Sequence, residues 1–349
     1  MIGRFRKSRP LKSPSRRKFL AATSLGAFGA TAAGVMSKVG AKVPGAKNPH
    51  RHALSQEFRG AHFHLGNIAV GEVDTSIFDP AKYLREFDYG KASKLPDGKT
   101  LREFEITAVD LEIEIAPGLK FPAWAYNGKV PGPTLRATEG DLVRVKFTNA
   151  GSHPHTIHFH GIHPAKMDGV FEIVEPGHDF TYEFPARPAG FHLYHCHATP
   201  LKKHIHKGLY GAFIIDPVKP RKPAQELVMV MNGFDTDGDG ENNFYTVNGR
   251  SFYYARYPIK VRRSQTVRIY LANLTEFDLI NSFHLHGDFF RYYPTGTGDQ
   301  FEYTDTVMLC QGQRGIVEID FANIGMFMFH AHQSEFAELG WMGFFNVVE

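Results

Sequence analysis

Residues 126–149 read YNGKVPGPTLRATEGDLVRVKFTN, a stretch that ends in alternating apolar and polar side chains. Residues 245–274 read YTVNGRSFYYARYPIKVRRSQTVRIYLANL and end in a similar alternation. A period of two is typical of β-strands with one buried face, and the Gly and Pro residues before the first alternating run mark turns. Two copies of one module in 349 residues predict two β-domains, each large enough for its own core.

The domain limits follow from this repeat. We expect the boundary in the Pro- and Lys-rich stretch DPVKPRKPAQ, residues 216–225. The predicted domains are residues 103–218 and 224–349, preceded by a polar N-terminal extension at 47–102. The high aromatic content, 13%, and the short alternating runs favour all-β sandwiches over helical bundles.

The N-terminus carries most of the positive charge. Residues 1–42 contain ten Lys or Arg and no acidic residue, so the rest of the chain has 30 basic against 36 acidic side chains. The motif SRRKFLAA, with Arg16 and Arg17 before a weakly apolar stretch, predicts a twin-arginine signal peptide at residues 1–46. We therefore expect a periplasmic or secreted protein, with neither nucleic-acid binding nor stable membrane insertion.

Histidines recur in pairs two residues apart. Eight His-x-His pairs are present, where chance predicts roughly one. Four of these pairs stand in two repeat-equivalent places, in HTIHFHG (155–161), FHLYHCHATP (191–200), FHLHGD (283–288) and FHAHQSEF (329–336). A single histidine in a strand is more often a satisfied core residue, but the repetition indicates metal ligands.

Strand parity divides these ligands between two sites. Residues two apart share a face of a strand, so Cys196 points away from His195 and His197. His155 lies an odd number of residues before the His158/His160 pair and therefore joins the side of Cys196. With His204 it completes two imidazoles and a thiolate, the ligands of a blue copper.

Leu209 occupies the place of the weak axial ligand of that copper. A leucine cannot coordinate, so we predict a higher reduction potential than a methionine would give. The other cysteine, Cys310, could pair with Cys196 only by consuming the thiolate that this site needs.

Eight imidazoles remain, more than one ion can use. Shared among three further coppers they provide two, three and three ligands, so we expect about four copper ions per chain. The eight are His158, His160, His195, His197, His284, His286, His330 and His332.

These motifs, together with MDGV, YEFPARPAGFHLYHCH and HIHKGLYG, resemble the multicopper oxidase family over nearly all of residues 103–349. The resemblance implies two cupredoxin-like Greek-key β-sandwich domains, with one type 1, one type 2 and two type 3 coppers. It is closest to two-domain, laccase-like oxidases with the blue copper in domain 1. In such proteins three subunits form a ring, and each trinuclear cluster lies between domain 1 of one chain and domain 2 of the next.

The second domain is expected to lack a blue copper. Four residues stand at its expected ligand positions and none of them fits: Asn281, Ala331, Phe336 and Trp341. The implied partners are dioxygen and a reducing small molecule or redox protein, with a homotrimer as the active form.

Two other functions stay open. Copper nitrite reductases are also two-domain trimers with blue copper in domain 1, but they have Asp at the place of His158, no histidine at that of His197 and Met at that of Leu209. A copper-storage or electron-carrier protein would explain Cys196, His155 and His204 but not the eight further imidazoles.

The sequence also suggests how the reaction proceeds. We expect electrons to reach the blue copper through an exposed edge of His204. Asp168 is the first candidate to deliver protons to dioxygen, and Glu335 or Glu338 is the second. His153, His163, His192 and His206 lie outside the ligand spacing, and unliganded polar roles are favoured for them.

Overall fold

The computed structural model describes residue 72 and residues 74–349. The predicted signal peptide and most of the first half of the extension therefore lie outside the described residues. Four short α-helices are present in the described part, α1 (Pro80–Tyr83), α2 (Leu201–His206), α3 (Tyr253–Arg256) and α4 (Ser334–Glu338), together with a 3-10 helix at Ala165–Met167. None of the helices in this part of the chain has the length and apolar character needed to cross a membrane.

Strands form most of the regular secondary structure in the described residues. In chain order they are β1 (Lys91–Lys94), β2 (Thr100–Ala116), β3 (Leu119–Tyr126), β4 (Gly132–Thr138), β5 (Leu142–Asn149), β6 (His158–Phe159), β7 (Asp179–Pro185), β8 (Gly190–His195), β9 (Tyr210–Asp216), β10 (Gln225–Phe234), β11 (Phe244–Val247), β12 (Ile259–Arg262), β13 (Val267–Asn273), β14 (Ile280–Leu285), β15 (Phe290–Pro294), β16 (Glu302–Thr304), β17 (Thr306–Cys310), β18 (Arg314–Ile319), β19 (Gly325–His330) and β20 (Met342–Val348).

The first sandwich consists of two sheets. One has the order β1-β2-β5-β7, with β3 also paired to β2, and the other has the order β4-β9-β8-β6. The alternating run of the opening stretch is β5, in which every second side chain is buried as the period of two predicts. Because β1 pairs with β2, this sheet begins N-terminal to residue 103, within the predicted extension.

The second sandwich also has two sheets, ordered β11-β10-β13-β18-β15-β16 and β12-β20-β19-β14-β17. Strand β13 is buried along its whole length. Its Ile269 and Leu271 belong to the core of the second sandwich, whereas Tyr270 and Ala272 pack in a cluster shared with the first. The prediction of an all-β protein with two cupredoxin-like Greek-key sandwiches is confirmed.

The two sandwiches are joined by an apolar contact with a charged margin. Phe191 and Leu193 of β8 lie in one buried cluster with Val228 and Val230 of β10. At the margin, Arg136 of β4 forms two-pronged ion pairs with Asp216 at 2.7 and 2.9 Å and with Glu226 at 2.7 and 3.1 Å. The two halves are therefore held together beside β8, the strand that ends at His195.

Strand β8 shows the parity on which the ligand assignment depends. Phe191 and Leu193 face the second sandwich, whereas Tyr194 and Cys196 belong to the core of the first. His195 shares the parity of Phe191 and Leu193, so its side chain leaves the strand opposite to the Cys196 thiol.

Candidate metal centre

One nitrogen from each of two imidazoles and one sulfur meet inside the first sandwich. Cys196 follows β8, His155 precedes β6, and His204 lies on α2. The His204 Nδ1 is 3.2 Å from both the Cys196 Sγ and the His155 Nδ1, and the His155 Nδ1 is 4.0 Å from the sulfur. All three side chains are buried. The predicted type 1 ligands are therefore brought together.

The chemistry of this group fits a copper ion. The Nδ1 atoms of His155 and His204 face each other, and the Cys196 sulfur lies 3.2 Å from one of them. One copper ion between these three atoms could accept a lone pair from each. Burial lowers the pKa of His155 and of His204 to about 4, so both rings are neutral, the form that binds metal. Burial also raises the pKa of the Cys196 thiol, and a bound cation would oppose that rise.

Leu209 packs in the core of the first sandwich, in the same cluster as Cys196. Its side chain is fully buried, and its carbonyl accepts a hydrogen bond from the Cys196 N–H at 2.9 Å. The sulfur itself accepts the Thr156 N–H at 3.4 Å. Cys310, in contrast, is a free and exposed cysteine at the end of β17, remote from these contacts in the fold.

The prediction that one edge of the His204 ring is exposed is wrong. His204 is only 3% exposed, because the indole of Trp124 on β3 covers it with a ring-centroid separation of 4.8 Å. The backbone N–H of Trp124 donates to the carbonyl of Lys207, just after α2. This hydrogen bond holds β3 next to the helix and places the indole over His204.

A second group lies on the other side of β8. The ligand atoms of His158, His160 and His195 all lie within 4.8 Å of one another, and the Nε2 atoms of His160 and His195 are 3.2 Å apart. The ring of His197 is next to this group, 5.6 Å from that of His158 and 6.1 Å from that of His195. All four imidazoles predicted for the first half of the cluster are therefore neighbours.

Backbone carbonyls fix the orientation of these rings. The His158 Nδ1 is 2.7 Å from the carbonyl oxygen of Asp168, and the His195 Nδ1 is 3.0 Å from that of Cys196. Because a carbonyl only accepts, each Nδ1 carries the hydrogen and donates it. The Nε2 lone pair of each ring is then free to bind a metal. Histidine ligands of metals usually donate the N–H of their other ring nitrogen to such an acceptor.

The second sandwich presents the equivalent group. The ligand atoms of His284, His286 and His330 lie within 4.8 Å of one another, with the Nε2 atoms of His286 and His330 at 2.9 Å. The His332 ring is 5.2 Å from that of His284. The His284 Nδ1 donates to the Asp305 carbonyl at 2.9 Å, and the His330 Nδ1 is 2.6 Å from the Ala331 carbonyl.

A pair of hydroxyls fixes the strands in the same way in both halves. The Thr156 Oγ1 accepts the His197 N–H at 2.9 Å, and the Ser282 Oγ accepts the His332 N–H at 2.7 Å. Each hydroxyl residue stands two positions before the first histidine of its HxH pair. That offset is the sequence signal that could have identified these two positioning residues.

The degenerate second copper site is filled by apolar packing. Ala331, Phe336 and Trp341 all belong to the buried core of the second sandwich, and the Phe336 ring stacks on Tyr245 at 3.8 Å. Asn281 is fully buried and donates through its Nδ2 to the Thr275 hydroxyl at 3.0 Å. These side chains offer a copper ion neither a thiolate nor an imidazole.

The candidate proton donors differ in placement. The Asp168 Oδ1 is 3.4 Å from the His158 Nδ1 and 3.8 Å from the His163 Nε2, so this carboxylate touches the first group. Glu335 is exposed on α4, and its described contacts include none of the eight cluster imidazoles. Asp305, which the sequence analysis missed, has its Oδ1 3.9 Å from the His284 Nδ1. A cavity of about 520 Å³ opens here, lined by His284, His286, Asp305 and Tyr303 among others.

The two histidine groups remain separate within one chain. In the described part of the chain, no group of close ligand atoms combines imidazoles of the first sandwich with imidazoles of the second. His286 and His332 are exposed, whereas His195 is buried.

Comparison with known proteins agrees with this geometry. Sequence models of the multicopper oxidases match residues 108–220 and residues 221–349. The chain belongs to the multicopper oxidase family. Its resemblance to that family is thereby confirmed.

Individual relatives include oxidases and nitrite reductases. A solved multicopper oxidase is 60% identical, with a TM-score of 0.76 over 77% of this chain and 97% of that chain. The blue copper oxidase from Nitrosomonas europaea is 30% identical, with a TM-score of 0.63 over 71% and 86% of the two chains. The copper-containing nitrite reductase of Neisseria meningitidis serogroup A is 28% identical over 235 residues, which span 61% of either protein.

Proposed function

We propose that this protein is a laccase-like multicopper oxidase. It takes single electrons from a reducing substrate at a type 1 copper held by His155, Cys196 and His204. It reduces dioxygen to water at a trinuclear copper cluster shared between subunits of a homotrimer. The twin-arginine motif supports a site of action outside the cytoplasm.

The separation of the two histidine groups carries this proposal. Each sandwich presents four neighbouring imidazoles, of which the second set is the more exposed, and neither set suffices for three coppers. A head-to-tail contact that closes as a ring would bring unlike faces together in every interface. The exposed Ile162, Phe171 and Ile173 near the first set and Phe289 and Tyr303 near the second supply apolar surface for such a contact.

The chain's own residues prepare the chemistry. Copper, when bound, would supply one-electron redox chemistry at the first site and dioxygen binding at the second. His195 and Cys196 are consecutive residues on opposite faces of β8, so one peptide unit connects the two candidate sites. The carbonyls of Asp168 and Asp305 hold His158 and His284 in the Nδ1–H form, and the two carboxylates lie where protons can be supplied.

Mixed trimers test the shared cluster. We expect His160→Asn and His286→Asn each to abolish dioxygen consumption, because each removes a ligand from every cluster. Chains of the two variants, co-expressed and purified through two different tags, should regain activity and copper. About one interface in three then combines two intact faces. A chain that carries both substitutions provides the control and should stay inactive.

Several outcomes would contradict this proposal. If the mixed trimers stay as inactive as the double variant, the cluster is not shared between chains. If the intact protein holds about two copper ions per chain and turns over nitrite but not dioxygen, it is a nitrite reductase. That second candidate is favoured only by the nitrite reductases among the relatives. About one copper per chain and no turnover would instead indicate an electron carrier.

A further inference from the structure

None of the predicted type 1 ligands is open to solvent. Exposure is 0% for His155, Cys196 and Leu209 and 3% for His204. A reductant therefore cannot touch a ligand ring directly. It has to approach whatever covers the site.

Two aromatic rings, those of Trp124 and His153, form this cover. The Trp124 indole lies 4.8 Å from the ring of His204 and 5.2 Å from that of His155, measured between centroids. Its outer side carries the exposed ring of His153 at 4.5 Å and the Lys203 ammonium at 5.3 Å. Trp124 itself is 7% exposed. The path from solvent to the buried imidazoles thus runs through His153 and Trp124.

We propose that Trp124, capped by His153, is the specificity-determining residue for the electron donor of the type 1 site. This inference rests on the proposed type 1 copper. The Trp124 indole keeps small donors such as phenols one ring away from His204. A large redox protein is too big to reach His204 in any case, and it meets the aromatic rings of His153 and Trp124 instead. In each transfer the donor loses one electron, the copper(II) ion becomes copper(I), and a phenol also releases its proton to solvent.

The physical reason is steric and electronic together. Replacing the indole by a shorter aliphatic side chain opens a gap over His204 that a phenol can enter, which shortens its distance to the site. The same change removes the ring that bridges a large donor to His204. The substitution should therefore raise the rate constant for the phenol and lower that for the large donor. The ratio of the two rate constants changes by more than either rate constant alone.

Anaerobic stopped-flow bleaching of the blue absorption of the copper-loaded protein tests this. The donors are 2,6-dimethoxyphenol and ferrocytochrome c, and the measured quantity is the ratio of their second-order rate constants. We expect Trp124→Leu to raise the phenol-to-cytochrome ratio at least about tenfold, equivalent to about 1.4 kcal/mol. We expect Trp124→Phe, which keeps an aromatic ring, to change it much less. Because dioxygen is absent, failure of the dioxygen proposal leaves this comparison intact.

Phe121→Leu is the matched control, and we expect it to leave the ratio unchanged. Phe121 is on the same strand β3 and is buried, but its ring contacts His206 and Phe234 rather than the type 1 imidazoles. If Trp124→Leu fails to fold, His153→Ala replaces it, because that exposed ring can be removed without disturbing a core, and it should shift the ratio in the same direction. An unchanged or lowered ratio in the folded variants overturns the proposal.

Fluorescence of the metal-free protein gives a readout that needs no turnover. The chain has two tryptophans, and the other one, Trp341, is fully buried in the second sandwich. One equivalent of silver(I), which binds thiolate and imidazole, should quench the emission of the intact protein and not that of Trp124→Phe. Quenching that persists in Trp124→Phe would show that the indole does not cover the site.

Discussion

Replacing Leu209 by methionine should lower the reduction potential of the type 1 copper. A thioether at this position stabilises copper(II), whereas the leucine side chain offers no donor atom. Leu209 is fully buried beside Cys196, so the axial position is closed to water as a substitute ligand. The substitution changes a single contact of the metal and leaves the remaining ligands in place.

The magnitude follows from that one contact. A tenfold preference of the thioether for copper(II) over copper(I) lowers a one-electron potential by about 59 mV. Leucine and methionine have similar volumes, so the swap should cost less than about 1.5 kcal/mol of stability. The fold and the copper content should therefore survive while the potential falls by about 60 mV or more.

Spectroelectrochemical titration of the blue absorption measures the change. Leu193→Met is the matched control, because Leu193 is equally buried but lies on the opposite face of β8, in the cluster between the sandwiches. Its potential should equal that of the unchanged protein. A potential that is unchanged or raised in Leu209→Met, or equally lowered in Leu193→Met, would refute the assignment of Leu209 to the axial position.

Three further substitutions test other parts of the structure. Asp168→Asn should lower dioxygen turnover about a hundredfold and alter its pH profile. The copper content should be unchanged, because the His158 Nδ1 bonds to the backbone carbonyl of residue 168 and not to its side chain alone. Full turnover in this variant would exclude Asp168 as proton donor. Burial lowers the pKa of His192 from 6.5 to about 4, so the unfolded chain takes up this proton first and stability falls as pH drops from 6.5 towards 4. Urea titrations between pH 7.5 and pH 5 should therefore show a loss of stability that is about 2 kcal/mol smaller in His192→Gln than in the unchanged protein, and equal losses in the two proteins would contradict the shift. Arg136→Met should cost about 3 kcal/mol, because it leaves Asp216 without its ion pair and leaves Glu226 paired with Arg268 alone; adding Asp216→Asn should restore part of that loss in thermal unfolding.

Sequence reasoning succeeded where one strand sufficed for the inference. Parity along β8 separates Cys196 from His195 without knowledge of any other element, and the structure places the two side chains in different surroundings as that parity requires. The repeat likewise predicted two sandwiches, because alternation of apolar and polar residues depends on local chain geometry.

Contacts between distant segments were beyond the sequence. Trp124 covers His204 although 80 positions separate them in the numbering, and this depends on where β3 ends against α2. Asp305 reaches His284 through a carbonyl oxygen, an atom that every residue has, so residue type gave no sign of it. The expected exposure of His204 failed for the same reason, since burial is a property of what packs from elsewhere.

The apolar filling of the second site makes the two sandwiches unequal in their dependence on metal. Phe336, Trp341 and Ala331 pack in the apolar core of the second sandwich and offer no imidazole or thiol to a metal. The first sandwich instead encloses a thiol and two imidazoles whose donor atoms face one another, and an ion that binds only the folded form stabilises that form by mass action. We therefore expect copper at the proposed type 1 site to add to the folding stability of the first sandwich, so that a copper-poor environment weakens the half of the chain that we propose receives electrons.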